Sequence, residues 1–172
     1  IQDLLAYSQM NTWEGKYELT NLKELFEGVV SEFNETIQEK NAKIDIGNLG
    51  KLNIIPFQFR QLVHNLISNA LKYSSPNISP HIKIDSTLVK GKHLEREKLN
   101  PGKNYCLITF EDNGIGFEKE FNEKIFEVFQ RLHGKNEYSG TGIGLSIVKK
   151  IVENHHGYIF ANSELNKGTT FS

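Results

Sequence analysis

A two-layer α+β sandwich is the fold class this sequence predicts, on three observations. Its 172 residues, 38% apolar and including 11 Phe, are enough for one buried core and would crowd two. Segments with a helical apolar period are interleaved with short strand-like runs, but not in the strict strand, helix, strand rhythm of a doubly wound sheet. The last two strand-like runs face each other across Asn166-Lys167-Gly168, which makes them a hairpin and hence an antiparallel pair.

Ile1 to Ser8 carries apolar residues at helical spacing with no capping residue before them, so a helix is expected to be entered mid-course. Tyr17 to Thr20 reads as a short strand. A helix follows from about Leu22 to Glu39, capped by Thr20 or Asn21, with Leu22, Leu25, Phe26, Val29, Val30 and Phe33 on one face. Ala42 to Ile46 is a second strand. Pro56 suits a first helical turn, and Phe59, Leu62, Val63, Leu66, Ile67, Ala70 and Leu71 recur at i, i+3, i+4, i+7 until Ser74-Ser75-Pro76 stops the helix. Ile82 to Val89 and Tyr105 to Phe110 are strands, joined by a charged, solvated loop from Lys90 to Lys103. Gly116 to Gly142 has weak periodicity apart from a turn around Ile125, Phe126, Val128 and Phe129, and so long a connection points to a functional lid. A last helix from about Ile143 to His155 stops at Gly157, and the hairpin of Tyr158 to Asn162 with Thr169 to Phe171 closes the order. Gly168 to Ser172 reads as a strand just beginning, so both ends suggest a piece cut inside its elements.

Twenty basic and 21 acidic residues leave a net charge of −1, which gives no general attraction for nucleic acid or an anionic membrane. A phosphate ligand must therefore be held locally. The single cysteine, Cys106, excludes an intramolecular disulfide framework and fits a reducing compartment, and no run reaches the roughly 20 apolar residues of a spanning helix.

Three groups of residues could carry chemistry. On the Pro56 helix, at about 100° per residue, Asn65, Asn69, Lys72 and Tyr73 line one edge of the buried face. Amide oxygens can ligate a hard divalent cation and a lysine is a point charge for phosphate, though a solvated helix edge would look the same. Asp112-Asn113-Gly114-Ile115-Gly116-Phe117 follows a strand. A plain turn explains its glycines; a carboxylate that accepts from an exocyclic amine, with backbone brought close to a ring, also explains the Phe and the long segment after it. Gly140-Thr141-Gly142-Ile143-Gly144-Leu145 precedes the last helix, where bare N–H groups make an anion site. No Gly-Lys-Ser/Thr follows, and no strand runs into the glycines, so neither the Walker nor the dinucleotide pattern applies. Taken together, in this order and with a lid between them, the three describe parts for the metal, base and phosphates of one nucleotide.

These motifs resemble those of the catalytic, ATP-binding domain of bacterial sensor histidine kinases in the GHKL superfamily. His64-Asn65-Leu66-Ile67-Ser68-Asn69-Ala70-Leu71-Lys72-Tyr73 resembles the N box of that family. Asp112 to Phe117 resembles the first glycine box, Ile125-Phe126-Glu127-Val128-Phe129-Gln130-Arg131 the F box, Gly140 to Leu145 the second glycine box, and Gly168-Thr169-Thr170-Phe171 the final Gly-Thr element. The resemblance covers about residues 17 to 171. It implies a mixed, mostly antiparallel sheet covered on one face by three helices, with an ATP lid at about 117–141. Asp112 would bond the adenine amine, and Asn69 with Asn65 would ligate Mg²⁺. Lys72 and Tyr73 would approach the phosphates, Arg131 would stabilise the γ-phosphate, and Gly114, Gly116 and Phe117 would shape the base site. Gly140, Thr141, Gly142, Ile143, Gly144 and Leu145 would form the phosphate turn, and Thr169 would reach the adenine through a water. Phe129 to Gly134 is further similar to kinases with upstream PAS or phytochrome-like sensors.

Hydrolytic members of the superfamily resemble this helix but carry a Glu four residues before the metal Asn. Asn65 stands there, and an amide cannot take a proton from water at neutral pH, so transfer to another acceptor is favoured. The family's acceptor histidine lies on a preceding dimerisation domain, next to an acidic residue. None of His64, His81, His93, His133, His155 and His156 is followed by one. The expectation is thus a protein-histidine kinase domain over 13–172, with 1–12 as the tail of the dimerisation domain. Its partners would be that domain, in a homodimer, and a response regulator, in the bacterial cytoplasm, with no contact to nucleic acid or membrane. A non-catalytic nucleotide sensor and a GHKL ATPase are the alternatives.

Overall fold

The computed structural model describes residues 15–94, 99–130 and 141–172. Strand β1 (Glu18–Asn21) leads directly into helix α1 (Leu22–Ser31), and the Asn21 side chain accepts the Lys23 N–H at 3.1 Å as the expected cap. The helix expected to continue to Glu39 is instead broken. Glu32 and Phe33 turn back with N–H bonds to Val29 and Val30, three residues earlier, and a separate helix α2 spans Asn34–Glu39. Phe33 marks the break, where its ring lies 4.8 Å from that of His64.

Strand β2 (Lys43–Ile46) is followed by β3 (Lys51–Ile54), which the sequence reading missed because four residues give little alternation. Helix α3 (Pro56–Lys72) starts with proline at its first position and runs as expected. Strands β4 (His81–Lys90) and β5 (Asn104–Asp112) form a long antiparallel pair, helix α4 spans Gly144–Asn154, and β6 (Ala161–Glu164) and β7 (Gly168–Phe171) form the closing hairpin. Its first strand begins three residues later than Tyr158 and runs two past Asn162. Between β5 and α4, two short 3₁₀ turns cover Lys119–Phe121 and Lys124–Phe126.

The main sheet has the order β2-β4-β5-β7-β6, and only the β2–β4 pair is parallel. β1 and β3 make a separate antiparallel ribbon. One face of the main sheet carries the core, where Phe26 and Val29 of α1, Val63 and Ile67 of α3, and Ile147 and Ile151 of α4 meet Ile82, Ile84 and Phe110. Each such side chain removed from water is worth roughly 1.5–3 kcal/mol. The result is the two-layer sandwich expected, with α1 and α2 in place of a single first helix.

Candidate functional site

The sheet registers lay the floor of the site. Across the ladder, Ile46, Ile84, Phe110, Phe171 and Ala161 form one row on the helix side, and Ile44, Ile82, Asp112, Thr169 and Ser163 form the next. The second row turns from apolar to polar at Asp112. On the opposite face, Asp45, Lys83, Glu111, Thr170 and Asn162 make a wholly polar row, as suits a sheet wetted on one side.

Above the polar half of the row lies a pocket. Asn69 and Ala70 of α3 and Tyr73 just past its end line it from one side, Leu145 of α4 from another, and Ile115, Gly116, Phe117, Ile125 and Gln130 from the segment after β5, with Asp112, Thr169 and Phe171 beneath. The Asp112 turn is tied down at both ends. Its Oδ1 accepts the Gly114 N–H at 2.9 Å, the Ile115 N–H reaches the Tyr73 carbonyl at 2.9 Å, and the Asn166 N–H reaches the Ile115 carbonyl at 2.7 Å. Glycine is required at Gly116, where φ is +59° and a Cβ would run into the Glu164 carbonyl.

Burial pushes the Asp112 carboxyl up from 3.8 to about 6, against hydrogen bonds from the Gly114 and Thr169 backbone that pull it down; the neighbouring charge of Glu111 adds to the rise. A half-buried acceptor at the end of an apolar row suits a donor on a flat ligand that also fills the apolar walls.

The other end of the pocket opens onto the start of α4. Ile143 precedes α4 with no side-chain cap, so the leading N–H groups at Gly144 and Leu145 have no capping partner among the described residues. A Cβ on Gly144 would stand 3.3 Å from Asn65 Oδ1 and 4.0 Å from Asn69 Nδ2, so both amides of α3 face the start of α4. Gly142 takes a φ of +72°, and its carbonyl accepts the Phe129 N–H at 3.0 Å, which fastens the segment before α4 to the end of the F box. Two amide oxygens and no carboxylate suit a hard cation that arrives with phosphate oxygens and keeps several waters. Among the described residues no three His, Cys, Asp or Glu side chains converge to hold a metal without it.

These parts have close relatives. The family described as "Histidine kinase-, DNA gyrase B-, and HSP90-like ATPase" matches residues 55–172, which takes in α3, the Asp112 turn, α4 and the closing hairpin. The chain belongs to this family. It is 34% identical over 171 residues, 99% of its length, to the phytochrome-like protein Cph1 of Synechocystis sp., and 37% identical over the same span to cyanobacterial phytochrome A of Nostoc sp.. It spans 21% and 20% of those two proteins. The catalytic domain of histidine kinase ThkA, solved free of nucleotide, superposes with a TM-score of 0.67 at 26% identity, covering 91% of this chain and 94% of that one. The histidine-kinase branch is thus where its relatives lie, and the chain is an ATP-binding catalytic domain of the sensor-kinase type.

Within this kinase domain the expected site residues separate into three groups. Asn69, Tyr73, Asp112, Gly116, Phe117, Leu145 and Thr169 meet around the pocket, with Gly114 packed on Tyr73 and with Asn65, Gly142, Ile143 and Gly144 at the end of it that faces the start of α4. Thr141 lies exposed before them. Lys72 is not on the pocket wall. Its ammonium donates to the Tyr73 hydroxyl at 3.1 Å, and it borders a separate polar depression with Lys40 and Ser74. Arg131 and Gly140 lie outside the described residues, as do residues 1–12. The sequence reading missed Ile115 and Phe171 as walls, which the motifs around them already contained, and it missed Ser163 entirely. No motif holds Ser163; only the pairing of β6 with β7 brings it beside Thr169.

Proposed function

We propose that this domain binds ATP with Mg²⁺ and, in the whole protein, hands the γ-phosphate to a histidine of the protein's own dimerisation domain for relay to a response-regulator aspartate. The observation that carries this reading is the pairing of a half-buried Asp112 carboxylate at one end of the pocket with the uncapped start of α4 and two facing amides at the other. Asp112 accepts from the adenine amine, and the ring lies against Ile115, Ala70 and Phe171. The N–H groups of Gly144 and Leu145 take phosphate oxygens. Asn69 and Asn65 supply amide oxygens for Mg²⁺, which spreads the phosphate charge during transfer.

In the transfer the bond from the γ-phosphorus to its bridging oxygen breaks, a bond to a histidine ring nitrogen forms, and ADP departs. Arg131 balances the charge on the moving phosphoryl group. Asn65 supports transfer over hydrolysis, because no carboxylate stands at that place to take a proton from water. Kinase action, the dimer and the regulator belong to the whole protein, in the bacterial cytoplasm; no described helix is long and apolar enough to cross a membrane.

Calorimetric titration with Mg²⁺-ATP beside Asp112→Asn, followed by chromatography of the nucleotide, tests the reading. Binding that is lost in the variant, with ATP left intact, is the expected result. Rapid appearance of ADP would replace the kinase by a hydrolase, and unchanged affinity in the variant would overturn the base site.

A further inference from the structure

Ser163 is the one buried residue of β6, 2% exposed, and its hydroxyl makes three hydrogen bonds. It lies outside the pocket wall but directly behind Thr169, its register partner. The Phe117 N–H donates to Ser163 Oγ at 2.9 Å. Ser163 Oγ in turn donates to the Gly168 carbonyl at 3.0 Å, and it lies 2.9 Å from Thr169 Oγ1.

Proton counting fixes the direction of the last bond. A serine hydroxyl has one proton and two acceptor sites. The proton goes to Gly168, because a carbonyl can only accept, and one lone pair is taken by Phe117. The remaining lone pair meets Thr169, so the Thr169 hydroxyl must be the donor. Its own proton is then spent inward, and towards the pocket Thr169 offers lone pairs alone. Asp112, next along the same row, offers a carboxylate. The base end of the floor is therefore all acceptor.

We infer that Ser163 is a specificity-determining positioning residue, which holds the Thr169 hydroxyl as an acceptor so that the site takes a base with an amino group at the Asp112 end and rejects one with a carbonyl oxygen there. This rests on the ATP reading above. A carbonyl oxygen there would face two acceptors and no side-chain donor. Buried acceptors left facing a lone pair discriminate more strongly than apolar fit does. The same hydroxyl ties Phe117, the first residue of the segment after the Asp112 turn, to the floor, so base choice and the seating of that segment share one anchor.

The test compares ATP with inosine triphosphate, which replaces the adenine amine by a carbonyl, by titration calorimetry on the 172-residue chain. Wild type is expected to prefer ATP strongly. In Ser163→Ala the Thr169 hydroxyl is free to turn and donate, and the preference should narrow by about tenfold, the worth of one hydrogen bond. In a Thr169→Val background, which has no hydroxyl to orient, adding Ser163→Ala should leave the preference where it is. A purely structural role would weaken both nucleotides alike, so an unchanged ATP-to-inosine ratio in Ser163→Ala overturns the inference. So does a further narrowing in the Thr169→Val background, or equal binding of both nucleotides by wild type. Thr169→Val keeps the shape of the strand and its ratio is readable even where Ser163→Ala folds poorly: a ratio equal to wild type would overturn the inference by itself. Failure of wild type to bind either nucleotide would instead bring down the ATP reading, and this inference with it.

Discussion

Asp112 sits at a cost. Its carboxyl has an ordinary value of 3.8 and is raised to about 6 in the fold, chiefly by burial, so the folded chain holds the proton more tightly than the unfolded one. The resulting stabilisation is complete below 3.8 and is lost as the pH rises through about 6; at neutral pH the ionised group costs about 3 kcal/mol. Asp112→Asn should therefore raise the stability of the nucleotide-free chain at pH 7.5, by up to about 3 kcal/mol or several degrees in thermal unfolding, with the gain shrinking as the pH falls through about 6 and gone below 3.8. The same variant should weaken ATP binding about 100-fold, since it replaces an acceptor by an amide that can turn its N–H₂ to the ligand. ATP affinity of the wild type should fall as the pH drops through about 6, because the amine of the base needs the ionised form; a calorimetric series from pH 5 to 8 measures it. An unliganded variant less stable than wild type at pH 7.5 would contradict the burial account.

At the scale of elements, the ends of α3 and α4 are stitched together by one ring. His155 Nδ1 donates to the Ile151 carbonyl at 2.7 Å, and the Ile55 N–H at the head of α3 donates to its Nε2 at 2.9 Å. The acceptor role of Nε2 holds only for the neutral ring, and burial lowers its value from the ordinary 6.5. The sign is opposite to that of Asp112. The contribution is present above 6.5 and is lost as the pH falls through the lowered folded value. In denaturant unfolding, the advantage of wild type over His155→Gln should shrink between pH 8 and pH 5.5. The β6–β7 turn gives a second check. Gly168 has a φ of +106°, and a Cβ there would run into the Asp112 carbonyl, so Gly168→Ala should cost about 3 kcal/mol, whereas Gly50→Ala, at φ +63° in open space, should cost about 1 kcal/mol. Comparable melting temperatures for the two would contradict the packing described.

For the whole molecule, the expectation is a chain that binds ATP and leaves it intact, and in which Arg131→Ala, placed in the intact kinase, slows phosphotransfer about tenfold or more while changing affinity little. Separate measurement of autophosphorylation rate and nucleotide affinity checks this. Much of the design was legible beforehand. Long periodic runs such as Phe59 to Leu71 announced α3, and glycine-rich turns announced both ends of the site. What escaped was non-local. The break at Phe33 comes where its ring meets that of the distant His64, β3 is too short to show a period, Lys72 turns to Tyr73 instead of the pocket, and Ser163 acquires its place only from a strand register. That register has a further consequence. Because Asp112, Thr169 and Ser163 are neighbours across a ladder, they are spaced by the roughly 4.8 Å strand separation, not by side-chain reach. The ligand is measured by a ruler made of backbone. Loss of a single residue from the turn at Leu165 to Lys167 that slipped β7 by one would trade Thr169 for the outward-facing Thr170, and recognition would fail as a frameshift does, all at once.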